Sequence, residues 1–346
     1  LLSRRMDLAP SRRRDLIFVS MTRFLVFLLP MLLSVLPARA EAVAEPGRKI
    51  LLVVGAGGTP EYAAIFQETA ALWIEAAKKG GATIEVIGGE EGDAKETTND
   101  EAKRLREKIA AEKAAELWVV LVGHGTFDGR VAKFNVRGPD FTDEELAGWL
   151  GGYEGELVLI NTASASGSYI REMAAPGRVV ITATKNEGEI FFTRFGRFFA
   201  EAIGGLSDAD LDNDEQVSLL EAFLFASNRV ALFYQDDGRL ATEHALLDDN
   251  GDGLGSRAEW FEGTTPVKTA SDEAKPDGDL AGRKVLVKNA FERLLTPAQT
   301  KQRDELERRV VELRRSKSSL DESDYYGKLE SLLLELARLY DAVGGS

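Results

Sequence analysis

No cysteine occurs among the 346 residues, which excludes disulfides, thiolate metal sites and thiol catalysis together. Histidine is nearly as scarce, with His124 and His244 as the two copies. Positive charge is the minority, 43 Lys and Arg against 57 Asp and Glu, for a formal charge of −14. That balance argues against a nucleic-acid partner, whose phosphates need a basic surface. It suits solubility and attraction for divalent cations instead. Apolar runs long enough to span a bilayer are also missing. The run from Phe24 to Leu36 follows Arg23 and precedes Ala38-Arg39-Ala40, the order of an export signal. Cleavage is expected after Ala40, giving a soluble exported protein, periplasmic or extracellular, with no membrane association. Residues 1–20 carry Arg4, Arg5, Arg12, Arg13 and Arg14 without a fold pattern, and Met21 makes the better start for the signal. Without residues 1–40, seven basic and two acidic residues fall away, leaving 36 against 55 and a charge of −19.

What is present from Lys49 onward is alternation of strand and helix. Ile50–Val54, Thr83–Ile87, Leu117–Val122, Leu157–Ile160 and Val179–Thr182 are short apolar runs. Between them lie segments of helical period, such as Tyr62, Ile65, Phe66, Thr69, Trp73 and Ala76. Thr98 with Glu101 and Thr142 with Glu145 have the spacing of helix capping boxes. Five buried strands separated by helices predict an α/β fold, a parallel sheet covered on both faces, with ligands at the carboxyl ends of its strands. This domain is expected over residues 41–204. Acidic loops follow over 205–262, then a Pro, Gly, Asp and Lys-rich linker over 263–282. Residues 283–346 hold two amphipathic helices: Leu306, Val310 and Leu313, then Tyr325, Leu329, Leu332, Leu333 and Leu336. They read as a helical hairpin or short coiled coil, suited to packing or self-association.

Two strand ends carry candidate chemistry. The third strand runs into Gly123-His124-Gly125 and the fourth into Asn161-Thr-Ala-Ser-Ala-Ser-Gly-Ser168. A small-residue turn after a buried strand exposes a side chain and frees N–H groups for an oxyanion, while a neighbouring histidine serves as general base. In the order strand, Gly-His-Gly, strand, Ala-Ser-Ala-Ser-Gly-Ser, the chain resembles the caspase and legumain peptidases. Val54-Gly-Ala-Gly-Gly-Thr-Pro-Glu-Tyr62, leading into a helix, is similar to the legumain-like first strand and loop. The resemblance covers about residues 49–204 and implies a three-layer caspase-like sheet. It puts Ser164 at the position of the nucleophilic cysteine and His124 at that of the base, with N–H groups of Gly125 and Ser164 facing the oxyanion. A serine hydroxyl is a far weaker acid than a thiol and depends on an oriented base. No carboxylate announces itself as orienter; Asp128 is nearest in sequence. The arginine that such peptidases use early in the domain for substrate recognition has no counterpart between Arg48 and Arg104. The alternatives are a pseudo-peptidase, whose strand-end pocket holds a peptide or protein ligand, and a Ser164–His124 hydrolase.

The acidic segments have metal-ligand spacing. Asp210, Asp212, Asp214, Gln216 (through its carbonyl), Ser218 and Glu221 occupy positions 1, 3, 5, 7, 9 and 12 of an EF-hand loop. Asp248, Asn250, Asp252, Leu254 (through its carbonyl), Ser256 and Glu259 repeat the pattern. The first loop has Glu215 where a glycine is usual at position 6, and the second has Gly253 there. The hard oxygens name calcium as the cofactor. Asp-rich turns without a metal are the plainer alternative. Gly55-Ala-Gly-Gly58 lacks both the third small residue of a dinucleotide fingerprint and the Lys-Ser/Thr of a phosphate loop.

Overall fold

The computed structural model describes residues 47–89, 100–272 and 274–344. The expected export signal and the expected cap at Thr98 lie outside the described residues. The chain runs β1 (Arg48–Val54), α1 (Pro60–Gly80), β2 (Thr83–Gly88), α2 (Glu101–Ala111), β3 (Glu116–Val122), β4 (Gly125–Phe127), β5 (Ala132–Phe134), β6 (Phe141–Thr142), α3 (Asp143–Leu150) and β7 (Glu156–Asn161). There follow α4 (Ser168–Met173), β8 (Arg178–Thr182), α5 (Phe195–Ile203), α6 (Leu219–Asp236), β9 (Leu246–Asp248), β10 (Phe261–Glu262), β11 (Thr265–Pro266), α7 (Asp279–Arg283), α8 (Pro297–Arg315) and α9 (Glu322–Gly344).

All five expected strands join one sheet, of order β2-β1-β3-β7-β8-β9. The near-continuous apolar sequences of β1, β3, β7 and β8 follow from burial on both faces, whereas edge strand β2 carries Glu85 and buries Ile87 alone. Ile50, Leu52, Val54, Trp118, Val120, Val158 and Ile160 pack on one side with Trp73, Phe199 and Phe223. Leu51, Val53, Leu117, Val119, Leu157 and Leu159 pack on the other with Leu105, Leu146 and Met173. At roughly 1.5–3 kcal/mol per large side chain buried, these two layers supply the main driving force for folding. The parallel prediction needs one correction: edge strand β9 runs antiparallel to β8, pairing Val180 with Asp248. It comes from the segment read as metal loops, so periodicity had no reason to assign it to the sheet.

The core draws on residues beyond 204 as well. Leu219, Ala222, Phe223 and Ala226 of α6 share the core with Trp73 and Trp118, and so do Ala281 and Leu286 from beyond the expected linker. The described residues all belong to one compact unit. The α8–α9 hairpin holds a small core of its own, Leu306, Val310, Leu313, Tyr325 and Leu332.

Helix ends follow local chemistry. The Thr142 and Glu145 capping box at α3 is present in both directions. Helix α2 is capped by Asp100, which accepts from the Lys103 N–H. Thr59 caps α1 with Pro60 in its first turn, and Gly81 ends it in the left-handed conformation. The strand order reverses between β1 and β3, both of which neighbour each other at the sheet centre. Their carboxyl ends therefore diverge into a crevice suited to ligands. His124 lies at its rim.

Candidate functional site at the strand ends and acidic loops

His124 stands directly after β3, in a nest of aromatic rings. Its ring centroid lies 4.6 Å from Tyr62, 4.9 Å from Phe66 and 6.1 Å from Phe192. This partial burial disfavours the imidazolium and lowers its pKa, against a smaller opposing effect of a hydrogen bond with the Gly57 backbone. A neutral imidazole with one nitrogen so engaged is held in a defined orientation.

Ser164 is buried in the turn after β7. Its Oγ donates to the Gly125 carbonyl at 2.9 Å and accepts from the Gly125 N–H at 3.2 Å. The hydroxyl thus straps the fourth strand end to β4, and the N–H expected to face an oxyanion is already satisfied. Residue 125 must be glycine, because a Cβ there would collide with the Ser164 carbonyl. Ala165 takes a left-handed φ of 54° and donates to the Glu189 carbonyl at 2.8 Å. Ser166 and Gly167 donate their N–H groups to Thr184 Oγ1, and Ser166 Oγ accepts from the Thr184 N–H. The fold brings Gly125 and Ser164 together, but among the described residues no hydrogen bond joins Ser164 to His124. Asp128 does not act as orienter: its carboxylate caps the β4–β5 turn, accepting from the Arg130 and Val131 N–H groups. His244 is elsewhere engaged, its Nδ1 lying 2.5 Å from Glu189.

Beside His124 opens a cleft of about 440 Å³ between α1, α5 and α6, lined by Ile65, Phe66, Phe192, Arg194, Phe198 and Phe233 among others. Sequence reading singled out the strand ends but missed these walls, because Arg194 just before α5 and Phe233 in α6 belong to no motif of their own. Under the cleft, Glu243 accepts from the Arg194 and Phe195 N–H groups at the start of α5. Burial pushes its pKa up to about 7, opposed by those hydrogen bonds.

The two acidic loops share one backbone. Positions 4 and 6 are left-handed in both: Asn213 and Glu215 at φ 62° and 65°, Gly251 and Gly253 at 79° and 74°. Asp210 and Asp248, at position 1, each accept from the N–H of position 6, Glu215 and Gly253. Asp214 and Asp252, at position 5, each accept from position 7, Gln216 and Leu254. In the first loop an oxygen from each of Asp210, Asp212 and Asp214 lies within 4.8 Å of the others, a spread that metal–oxygen bonds of roughly 2.3–2.6 Å bridge. Burial, then the charges of Asp214, Glu221 and Asp210, raises the Asp212 pKa to about 6.

The loops differ in how they close. Glu221 reaches back into the first loop, where Oε1 accepts from the Leu211 and Asp212 N–H groups and Oε2 from Ser218 Oγ. Glu259 does nothing comparable; its side chain is 65% exposed and lies 3.5 Å from Arg257. The physical reason is that residues 258–260 form a short 3-10 turn, in place of the helix that would aim position 12 inward. Asp277 occupies the vacated role. Its Oδ1 accepts from the Asp249 and Asn250 N–H groups, positions 2 and 3, and its Oδ2 from Ser256 Oγ, position 9. Asp249 answers by accepting from Gly278 and Ala281 at the start of α7. No spacing rule could have found Asp277, because it lies in the stretch read as a linker. Among the described residues no cation pairs with Asp248, Asp249 or Asp277, and burial raises the pKa of all three.

No family model matches the chain, and no curated protein matches it either. Among solved structures it is similar to the Drosophila initiator caspase Dronc, with 12% identity and a TM-score of 0.40 over 62% of this chain and 85% of that one. It is also similar to caspase-1 from Spodoptera frugiperda, with 11% identity and a TM-score of 0.37 over 61% of this chain and 88% of that one.

Proposed function

We propose that this chain is an exported, calcium-binding, caspase-like protein that recognises a ligand at its strand ends and does not hydrolyse it. The observation that carries the calcium reading is the shared construction of the two loops. Each gathers hard oxygens on a backbone left-handed at positions 4 and 6, and each is closed by a carboxylate from outside the turn, Glu221 or Asp277. In this reading Asp210, Asp212, Asp214, Ser218 and Glu221 with the Gln216 carbonyl hold one ion. Asp248, Asn250, Asp252, Ser256 and Asp277 with the Leu254 carbonyl hold the other, and Glu259 holds none. Buried carboxylates without cationic partners are costly in a folded protein, and a divalent cation offsets that cost.

The caspase-like part rests on Gly123-His124-Gly125 and the Ser164 turn standing at the carboxyl ends of adjacent parallel strands. Ligand recognition without hydrolysis rests on the Ser164 hydroxyl being spent on both backbone groups of Gly125. Export rests on the signal pattern before Ala40, and self-association on the apolar positions Leu333 and Leu334 that α9 leaves exposed.

Thermal unfolding of chelator-treated protein tests the calcium reading, since a ligand that binds only the folded state raises its melting temperature. A rise with added calcium is expected, and unchanged melting at millimolar calcium overturns it. The hydrolase alternative is favoured only by the nearness of the Ser164 turn to His124. A serine-reactive phosphonate decides: labelling that disappears in Ser164→Ala establishes the hydrolase, and absent labelling of calcium-loaded protein rejects it.

A further inference from the structure

The cleft beside His124 has a composition that selects among ligands. Its walls are rings and aliphatic chains, Ile65, Phe66, Phe192, Phe198 and Phe233, and its volume of about 440 Å³ falls in the range of sites for small organic molecules. Into this apolar space the chain places three arginines, Arg194, Arg197 and Arg229.

Arg197 is neutralised by Glu68 and Glu201. The other two differ. The Arg194 guanidinium lies 3.9 Å from the Phe233 ring centroid and 5.7 Å from that of Phe192. The Arg229 guanidinium lies 5.6 Å from the Phe198 ring centroid. Among the described residues neither side chain forms an ion pair or a hydrogen bond. What sets these two apart is their place, both lining a cleft walled by aromatic rings. A guanidinium against an aromatic ring keeps its in-plane N–H groups available, and they match a carboxylate in a two-pronged bond.

The charge available is also limited. Arg197 brings one positive charge against the two negative charges of Glu68 and Glu201, so with Arg194 and Arg229 the group carries a net charge of +1 and suits one negative charge better than a phosphate dianion. The Glu243 carboxylate lies behind the cleft and is spent on the Arg194 and Phe195 N–H groups and the Tyr234 hydroxyl. It attracts the Arg194 guanidinium without forming an ion pair with it.

We propose that this cleft binds a monocarboxylate with an aromatic or branched aliphatic body. Arg194 takes the carboxylate, Arg229 adds a second positive charge, and Phe66, Phe192, Phe198 and Phe233 enclose the body. The inference rests on the reading of the strand-end cleft as a recognition site and names its ligand class; it does not depend on calcium.

The test is isothermal titration of the full chain, with and without calcium, using N-acetylphenylalanine and the uncharged N-acetylphenylalaninamide. The acid is expected to bind about tenfold or more tightly than the amide, the difference made by a charge-assisted hydrogen bond. Arg194→Gln removes that preference. Phe233→Ala weakens acid and amide alike, and Arg171→Gln, on α4 outside the cleft, changes neither. Circular dichroism of each variant confirms the fold, and Arg229→Gln supplies a second charge variant that lowers acid affinity. Equal binding of acid and amide, no binding of the acid, or an acid preference that survives both arginine variants overturns the proposal. Binding of both probes without preference leaves the recognition-site reading standing and removes this ligand class alone. A calcium-dependent rise in melting temperature is read separately, so a failure there does not count against the cleft.

Discussion

Replacing Asp277 by asparagine is expected to move the stability of this protein in opposite directions with and without calcium. Asparagine keeps the shape and one oxygen, so the Asp249 and Asn250 N–H groups retain their acceptor. Ser256 Oγ, which donates to Asp277, can turn and accept from the new amide. What disappears is a negative charge that is 2% exposed and has Asp249 and Asp248 for neighbours. A carboxyl group whose pKa is raised on folding stabilises the folded state below its unfolded pKa and loses that contribution as pH rises. At neutral pH and without metal the wild type therefore carries a penalty that the variant lacks, and Asp277→Asn gains about 1 kcal/mol or more. Calcium reverses the ranking. An ion at 100 times its dissociation constant adds about 2.7 kcal/mol, on the order of 5 °C in melting temperature for a chain of this size. A hundredfold loss of affinity at the second loop removes most of that site's share. Differential scanning calorimetry of wild type, Asp277→Asn and Glu259→Gln, each in chelator and in calcium, reads both effects. Glu259→Gln is the internal control: its side chain is exposed, so neither number changes. A calcium increment that vanishes in Glu259→Gln and survives in Asp277→Asn would refute the assignment of the closing ligand.

Glu243→Gln is expected to flatten the dependence of stability on pH. The folded pKa of about 7 stands above the ordinary carboxyl value of 4.5, so the wild type loses up to about 3 kcal/mol as pH rises between those values. Urea unfolding at either end of that window measures it, and parallel wild-type and variant curves would contradict the burial argument. Ser164→Ala leaves the N–H and carbonyl of Gly125 without their shared partner. It should cost about 1–3 kcal/mol, read by the same unfolding assay. Unchanged stability would mean that the hydroxyl does not make this bridge.

The sheet was legible in the sequence because its signal is local. Five short apolar runs admit no helical alternative of their length, and adjacent residues, such as Leu51 and Leu52 or Val119 and Val120, pack in different cores. The strand β9 was not legible: Leu246-Leu247-Asp248 is too short to show a period, and what places it is the ladder offered by β8. Residues 263–282 show the same limit of a local reading. Polarity marked residues 263–282 as a linker, whereas Asp277 is held there by backbone N–H groups of the second loop. His124 and Ser164 drew attention because they follow adjacent parallel strands, whose carboxyl ends are where ligands gather. Motif and spacing could place them side by side; they could not show that the Ser164 hydroxyl turns to Gly125.

The acidic loops and the strand ends are connected through the sheet edge, a route by which calcium, in the proposed reading, would reach the Ser164 turn. Asp248 is at once the first residue of the second loop and the last of β9, where it pairs with Val180 of β8. Strand β8 leads into Thr184, whose hydroxyl holds the N–H groups of Ser166 and Gly167 in the turn that carries Ser164. An ion that fixes Asp248 therefore stiffens the strand against which that turn is anchored. The first loop offers no such path: it is tied instead to the segment before α8, where Asn289 donates to the Asp214 carbonyl. Calcium is accordingly expected to slow amide hydrogen exchange in residues 163–168 through the second loop alone, and Asp277→Asn to abolish the slowing. Local openings of this kind are what exchange reports. If calcium protects the two loops but leaves exchange at Ser166 and Gly167 unchanged, the edge strand does not transmit binding, and the metal is confined to holding the loops themselves.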